Sequence, residues 1–170
     1  MIRLIAIEML NSNLEDPIAI LGFESEKVKN VLCDLPIRLL FNPVWDTGQS
    51  SSINTLVKAL DSSTNDLLIM LGDLPGIKVE HINRLIKSHQ SQPSPETQIT
   101  LPKYRGKRGN PVIWGGKFFP ELQTLTGDIG GRALFSKHCN SINFVDFMSD
   151  IITTDINTRS ALKTWIHNNC

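Results

Sequence analysis

The stretch LLIMLGDLPG, residues 67–76, constrains this chain more than any other. Its first five residues are apolar without interruption. A run that short, with no polar face, is the pattern of a strand covered by helices on both sides, as in a parallel sheet. The run then stops: Gly72 lets the backbone turn, Asp73 stands just beyond the strand's C-terminal end, and Pro75 with Gly76 cannot continue a ladder. In open α/β sheets that edge is where ligands bind. Asp73 there has two readings, a cap for its own turn or a hard oxygen ligand that holds Mg²⁺ against substrate phosphates.

Helical and strand patterns alternate around this run. Residues 1–10 carry Ile2, Ile5, Ala6 and Met9 at helical spacing. Residues 17–22 predict a strand, 25–35 a helix burying Val28, Val31 and Leu32, and 37–41 a second strand, which together make a right-handed parallel crossover. The polar loop VWDTGQSSS feeds a helix over 53–60 with an apolar stripe of Ile53, Leu56, Val57 and Leu60. Its serines either cap that helix, through Ser51 or Ser52, or form a ligand-contacting loop, since a helix N-terminus offers free N–H groups to phosphate.

Residues 79–88 predict a helix with Val79, Ile82, Leu85 and Ile86 inward, leaving His81 and His89 solvated. Strands over 99–102 and 112–114 flank KYRGKRGNP, in which Lys103, Arg105, Lys107 and Arg108 crowd Gly106 and Gly109. This is either a solvated hairpin or an anion site where backbone and guanidinium groups both reach a phosphate. A helix over 118–125 follows, then strands over 142–147 and 151–154 that close the sheet, and a terminal helix over 160–167 capped by Thr158.

A chain of 170 residues with 41% apolar content supports one domain with a sizeable core. Acidic and basic residues balance at 17 each, without the global field of nucleic-acid or membrane-surface binders, so any anion site is local. Cys33, Cys139 and Cys170 are scattered and odd in number, which argues against a disulfide framework or zinc site and fits a reducing cytoplasm. No run approaches the roughly 18 apolar residues of a membrane span, and no signal peptide opens the chain.

In their order and separation, VWDTGQSSSI, LLIMLGDLPG, YRGKRGNPVI, LTGDIGGRAL and TTDINT resemble the MobA-like nucleotidyltransferases. The branch they resemble most is that of the molybdenum cofactor cytidylyltransferases, which attach CMP to molybdopterin. The resemblance implies a single α/β domain over residues 1–170, a three-layer Rossmann-like nucleotidyltransferase fold with a mostly parallel sheet. It also implies Mg²⁺-dependent transfer of CMP, or another nucleotidyl group, from an NTP to a phosphorylated acceptor such as molybdopterin, with release of pyrophosphate. CTP is favoured over GTP as donor.

Carried over by position, Asp73 matches the family's metal-binding Asp, with Gly72 beside it on the substrate side. Asn157 matches the second catalytic metal position, usually Asp within an Asp-x-Asp pattern of which Asp155 is kept. An Asn carbonyl still ligates Mg²⁺, with less charge. Gly48, Ser51 and Ser52 fall where the family's loop lies near the nucleotide, and Arg108, Gly109, Asn110, Asp128 and Arg132 match the acceptor side. The family's opening strand and L-A-A-G-x-S-x-R-M-G phosphate loop have no match in residues 1–22. The expectation is therefore an N-terminally truncated domain with an unpaired sheet edge, little activity by itself, and a homodimer as one way of covering that edge. Two further readings stay open: a sugar-phosphate nucleotidyltransferase, and an inert relative that binds the cofactor or a partner.

Overall fold

The computed structural model describes residues 1–156 and 158–169. The chain forms α1 (Ile2–Leu10), β1 (Ile18–Leu21), α2 (Ser25–Leu32), β2 (Arg38–Phe41), α3 (Gln49–Lys58), β3 (Asp66–Ile69), α4 (Val79–Gln90), β4 (Ile99–Tyr104), β5 (Lys107–Arg108), β6 (Val112–Gly115), α5 (Phe119–Gln123), β7 (Ile142–Asp146) and α6 (Arg159–Asn169). Apart from one strand and several boundaries, these are the elements that periodicity predicts.

The strands form two sheets. β1 and β2 pair in parallel as an isolated ladder, the crossover expected from the first strand–helix–strand run. The other sheet has the order β3-β6-β4-β5, with β7 added in parallel to β4. β6 runs antiparallel to both β3 and β4, so β3, β4 and β7 point one way with β6 reversed among them. The reversal begins at the β4–β5 hairpin, where Arg105 and Gly106 both take positive φ, 46° and 80°. Two successive left-handed residues make the tight turn whose twist matches paired antiparallel strands.

Alternation along the strands divides the core into two layers. Val112 and Trp114 of β6 face the cluster formed with Ile53 and Val57 of α3, Leu122 of α5 and Phe135. Ile113 faces Ile82, Leu85 and Ile86 of α4 on the other side, where Met9 and Leu14 pack as well. Helices thus cover the five-stranded sheet on both faces, the three-layer α/β arrangement. Trp114 is the largest fully buried side chain; it stacks on Phe135 at 5.6 Å and meets Phe118 edge-on.

Four expectations are corrected. Residues 151–154 are not a strand: 150–152 form a 3-10 turn, and the hydroxyls of Thr153 and Thr154 donate to the Asp150 carbonyl at 2.8 and 3.0 Å. Such local bonds compete with a ladder that β-branched composition alone would favour. The helix expected from residue 53 begins at Gln49, because its cap comes from a distant loop. The run at 67–71 is fully buried only at Leu67, and Leu68 and Ile69 are partly open. His89, expected in solvent, is 1% exposed, with Nδ1 2.8 Å from Thr100 Oγ1 and Nε2 3.1 Å from Asp66 Oδ1. An apolar-spaced helix position does not reveal a buried polar partner one strand away.

Candidate functional site

The turn after β3 carries Asp73. Its backbone carbonyl accepts the Ile156 N–H at 2.9 Å, which pins the segment before α6 against the end of β3. That contact brings Asp155 near enough for its charge to act on Asp73. The Asp73 carboxyl is raised from its ordinary value, chiefly by burial and then by Asp155, against an opposing backbone hydrogen bond. Its Oδ1 is buried and has no hydrogen-bond partner. Asp73 offers an orphaned buried carboxylate oxygen, and Asp155 places a second carboxylate near it, a donor chemistry that suits a hard divalent cation. Among the described residues no group of three or more His, Cys, Asp or Glu side chains gathers for a metal. Asn157 lies outside the described residues.

The same segment reaches a cavity of about 250 Å³. Asn110 N–H donates to the Ile152 carbonyl at 2.9 Å, and a Cβ on Gly109 would collide with Ile152, so only glycine lets these backbones meet. Arg108, Gly109 and Asn110 form one wall of the cavity, and Gly131 and Arg132 another. Gln49, Ile53, Ile69, Leu71, Val112, Trp114 and Phe135 complete it. Of the four cations around the hairpin, only Arg108 lines this space. Its guanidinium lies 5.5 Å from the Phe135 ring centre, a contact that holds a cation at an apolar wall. Lys103 is drawn to Asp146 at 3.4 Å, and Arg105 and Lys107 are exposed at the turn.

The start of α3 closes a third side. Gly48 has φ 111°, and a Cβ there would lie 2.7 Å from the Gly127 backbone. This close approach lets Asp128 Oδ1 accept the Gln49 N–H at 3.0 Å and the Gly127 carbonyl accept the Ser50 N–H at 3.1 Å. The helix is therefore capped by a loop 79 residues away. Asn42 Nδ2 donates to Ser51 Oγ at 2.8 Å and to Ser52 Oγ at 3.1 Å, and Ser51 Oγ donates to the Gly48 carbonyl. These serines tie α3 to the end of β2. Ser50 Oγ is buried without a partner.

The residues singled out in sequence thus fall into three groups: Arg108, Gly109, Asn110 and Arg132 around one cavity; Gly72, Asp73 and Asp155 at the end of β3; and Gly48, Ser51, Ser52 and Asp128 at the start of α3. Sequence reasoning missed Gln49, Trp114 and Phe135 as cavity walls. Trp114 and Phe135 read as ordinary core residues, and only their position at the end of β6 and beside Arg132 separates them from the rest.

The fold is a Rossmann-like nucleotidyltransferase architecture. It is shared with a manganese complex of Rv0371c from Mycobacterium tuberculosis (TM-score 0.78, 18% identity, 97% of this chain and 86% of that one). It is shared too with a CMP:2-keto-3-deoxy-manno-octonic acid synthetase complexed with CTP (TM-score 0.75, 8% identity, 98% and 86%). The sequence model of the MobA-like NTP transferase domain matches residues 3–142, and the chain belongs to that family. Among characterised relatives it is 24% identical over 154 residues to the nicotine blue oxidoreductase of Paenarthrobacter nicotinovorans, covering 88% of this chain and 74% of that protein. It is 30% identical over 91 residues to the bifunctional protein GlmU of Trichormus variabilis, covering 52% of this chain and 20% of GlmU. No helix among the described residues is long and apolar enough to cross a membrane.

Proposed function

We propose that this domain transfers CMP from CTP to a phosphorylated small molecule such as molybdopterin, with Mg²⁺ as cofactor and pyrophosphate as the other product. The observation that carries this reading is the bridge made by residues 150–156. One end holds Asn110 at the arginine-lined cavity and the other holds Asp73 beside Asp155. An anionic acceptor and a cation site therefore share one support.

Arg108 and Arg132 would fix the acceptor phosphate, whose ionised oxygen attacks the α-phosphorus. The bond from that phosphorus to the bridging oxygen breaks, and its electron pair leaves with pyrophosphate. No protein base is required, since a terminal phosphate is already ionised near neutral pH. Asp73 and Asp155, with Asn157 as the family's further position, would hold a divalent cation, whose chemistry there would be to neutralise phosphate charge. Trp114 and Phe135 exclude water from the apolar side of the cavity.

Pyrophosphate release from CTP and from GTP with molybdopterin tests this. Slow CTP-dependent release that Asp73→Ala abolishes is the expected result, and absence of release with both nucleotides overturns it. One observation favours a second reading, a relative that binds ligand without turnover: the first amides of α3 already donate to Asp128 and Gly127, which leaves them unavailable to a triphosphate. Saturable CTP binding without pyrophosphate release would select that reading.

A further inference from the structure

Asp73 begins a turn whose other end is tied down by a histidine that the chemistry described above does not use. Residues 73–78 lead from the end of β3 to α4 and are anchored in turn at Asp73, Gly76 and Lys78. The Asp73 carbonyl accepts the Ile156 N–H at 2.9 Å. Gly76 lies so close to Ile151 that a Cβ there would enter its side chain. At the far end the Lys78 N–H donates to Nδ1 of His81 at 3.0 Å, the reach of an N3 side chain back to its N-cap. Between these anchors Leu74 and Ile77 are buried in a cluster with Ile82 and Phe147, which leaves the turn little slack.

The anchor at Lys78 works in one protonation state only. Nδ1 accepts from Lys78, so the ring is neutral and carries its own proton on Nε2. A proton added to Nδ1 would set two N–H donors against each other. Burial is the main reason the ring stays neutral, holding the His81 pKa below its ordinary value near 6.5. Charges reach it from several sides: Glu80 and Glu8 pull the pKa up, whereas Arg84 and Lys78 push it down. Phe147 presents a ring 5.7 Å away, itself covered by the Arg84 guanidinium at 4.7 Å. Glu8 is shared between the Lys78 ammonium at 3.1 Å and the Val79 N–H at 3.0 Å. Those two bonds hold a side chain and the first helical amide, while the main-chain N–H that ends the turn is held by His81.

We propose that neutral His81 is a positioning residue for Asp73: it latches Lys78, and with it the turn that carries the Asp73 carboxyl, and a proton on His81 opens the latch and weakens cation binding. The inference rests on Asp73 as the cation ligand. The folded protein takes up this proton less readily than the unfolded chain does. The latch is therefore complete above about pH 6.5 and is lost as pH falls through the lower folded-state value.

The test is Mn²⁺ binding by the intact chain at about pH 8 and about pH 5.5, for wild type, His81→Gln and His81→Ala. A glutamine at this position accepts the Lys78 N–H with its side-chain carbonyl and does not titrate. All three proteins share whatever the carboxylates lose in acid. Beyond that shared loss, wild type should weaken about fivefold further, the scale of one missing cap. His81→Gln should match wild type at the higher pH and escape the extra loss. His81→Ala should bind about fivefold more weakly than wild type already at the higher pH. Without metal, the amide resonance of Lys78 should titrate together with the His81 ring. The proposal is overturned if His81→Gln shows the full wild-type loss in acid, if His81→Ala binds as wild type does at the higher pH, or if the Lys78 amide ignores the titration of the ring. Undiminished Mn²⁺ binding by Asp73→Ala would instead overturn the cation ligand from which the inference starts, and the Lys78 amide would still report the latch by itself.

Discussion

β4 and β6 pair on both edges, and the first four residues of β4 and all four of β6 are buried. β1 and β3 pair on one edge each, and of their eight residues only Leu21 and Leu67 are buried. The same kind of sequence, short apolar runs of β-branched and leucine residues, sits in both regions. What differs is the number of neighbours, so the β4–β6 side holds the packing energy. Around β1 and α1, polar clasps do much of the joining: Arg3 to Asp34, Arg38 to Asp16, and Glu8 to Lys78 and the Val79 N–H. Exposed ion pairs such as the first two are worth little each, whereas Glu8 is part-buried. The contrast teaches that one side of the molecule supplies rigidity and the other supplies room.

The largest expected effect lies on the closed side. Trp114→Ala should cost about 3–5 kcal/mol in urea unfolding, since it removes a fully buried indole and leaves a cavity against Phe135 and Phe118. Ile20→Ala on the half-open strand should cost about 1 kcal/mol, because much less surface leaves water there. Equal losses would erase the distinction between the two sides.

The junction of the halves comes next. Gly48→Ala imposes a left-handed φ on a side chain and drives a Cβ into the Gly127 backbone, with an expected cost of about 1–3 kcal/mol. Circular dichroism of α3 and a lower melting temperature would report it, and an unchanged melting temperature would show that the two loops separate freely.

Asp73→Asn should shift stability less, and with a sign that depends on metal. Because the folded-state pKa of Asp73 is raised, its ionised form opposes folding at neutral pH, and wild type regains stability as pH falls through that raised value toward the ordinary one near 3.8. The metal-free variant should therefore melt slightly higher than wild type at pH 7. Added Mn²⁺ should stabilise wild type and leave the variant unmoved. Equal stabilisation of both by Mn²⁺ would remove Asp73 from the cation site.

The smallest effect belongs to the exposed clasp. Asp34, held at about 2 by the Arg3 guanidinium, contributes stability above its ordinary pKa and loses it as pH falls from about 4 toward 2. Asp34→Asn should flatten that acid limb by losing the contribution at pH 7, a small loss for an exposed pair, while leaving stability near pH 2 unchanged. A large loss at pH 7 would mean that the clasp carries more of the open side than exposed ion pairs do.

The elements were legible because their apolar periods are unambiguous: α4 keeps Ile82, Leu85 and Ile86 on one face, and β6 alternates Val112, Ile113 and Trp114 between layers. Arg108, Gly109, Asn110 and Arg132 were singled out through the resemblance to family positions, and all four line one cavity. The rest was set by contacts that no local pattern encodes. Asp128 looked like a ligand residue and is bonded to the first amide of a helix 79 residues away. His89 looked solvated and meets Asp66 on β3 and Thr100 on β4. The open edges of β1 and β3 depend on which strands fail to meet, and a sequence records only the strands.

The cap on α3 also orders events in time. Its first two amides wait for Gly127 and Asp128, so a growing chain emerges with that turn open until most of the polypeptide has been made. The first amide of α4, that of Val79, depends likewise on Glu8, but that carboxylate is synthesised before the helix it serves. During synthesis α4 can be sealed as it forms, whereas α3 completes only late, when the loop at 127–128 folds back and fixes the arginine-lined cavity in the same motion.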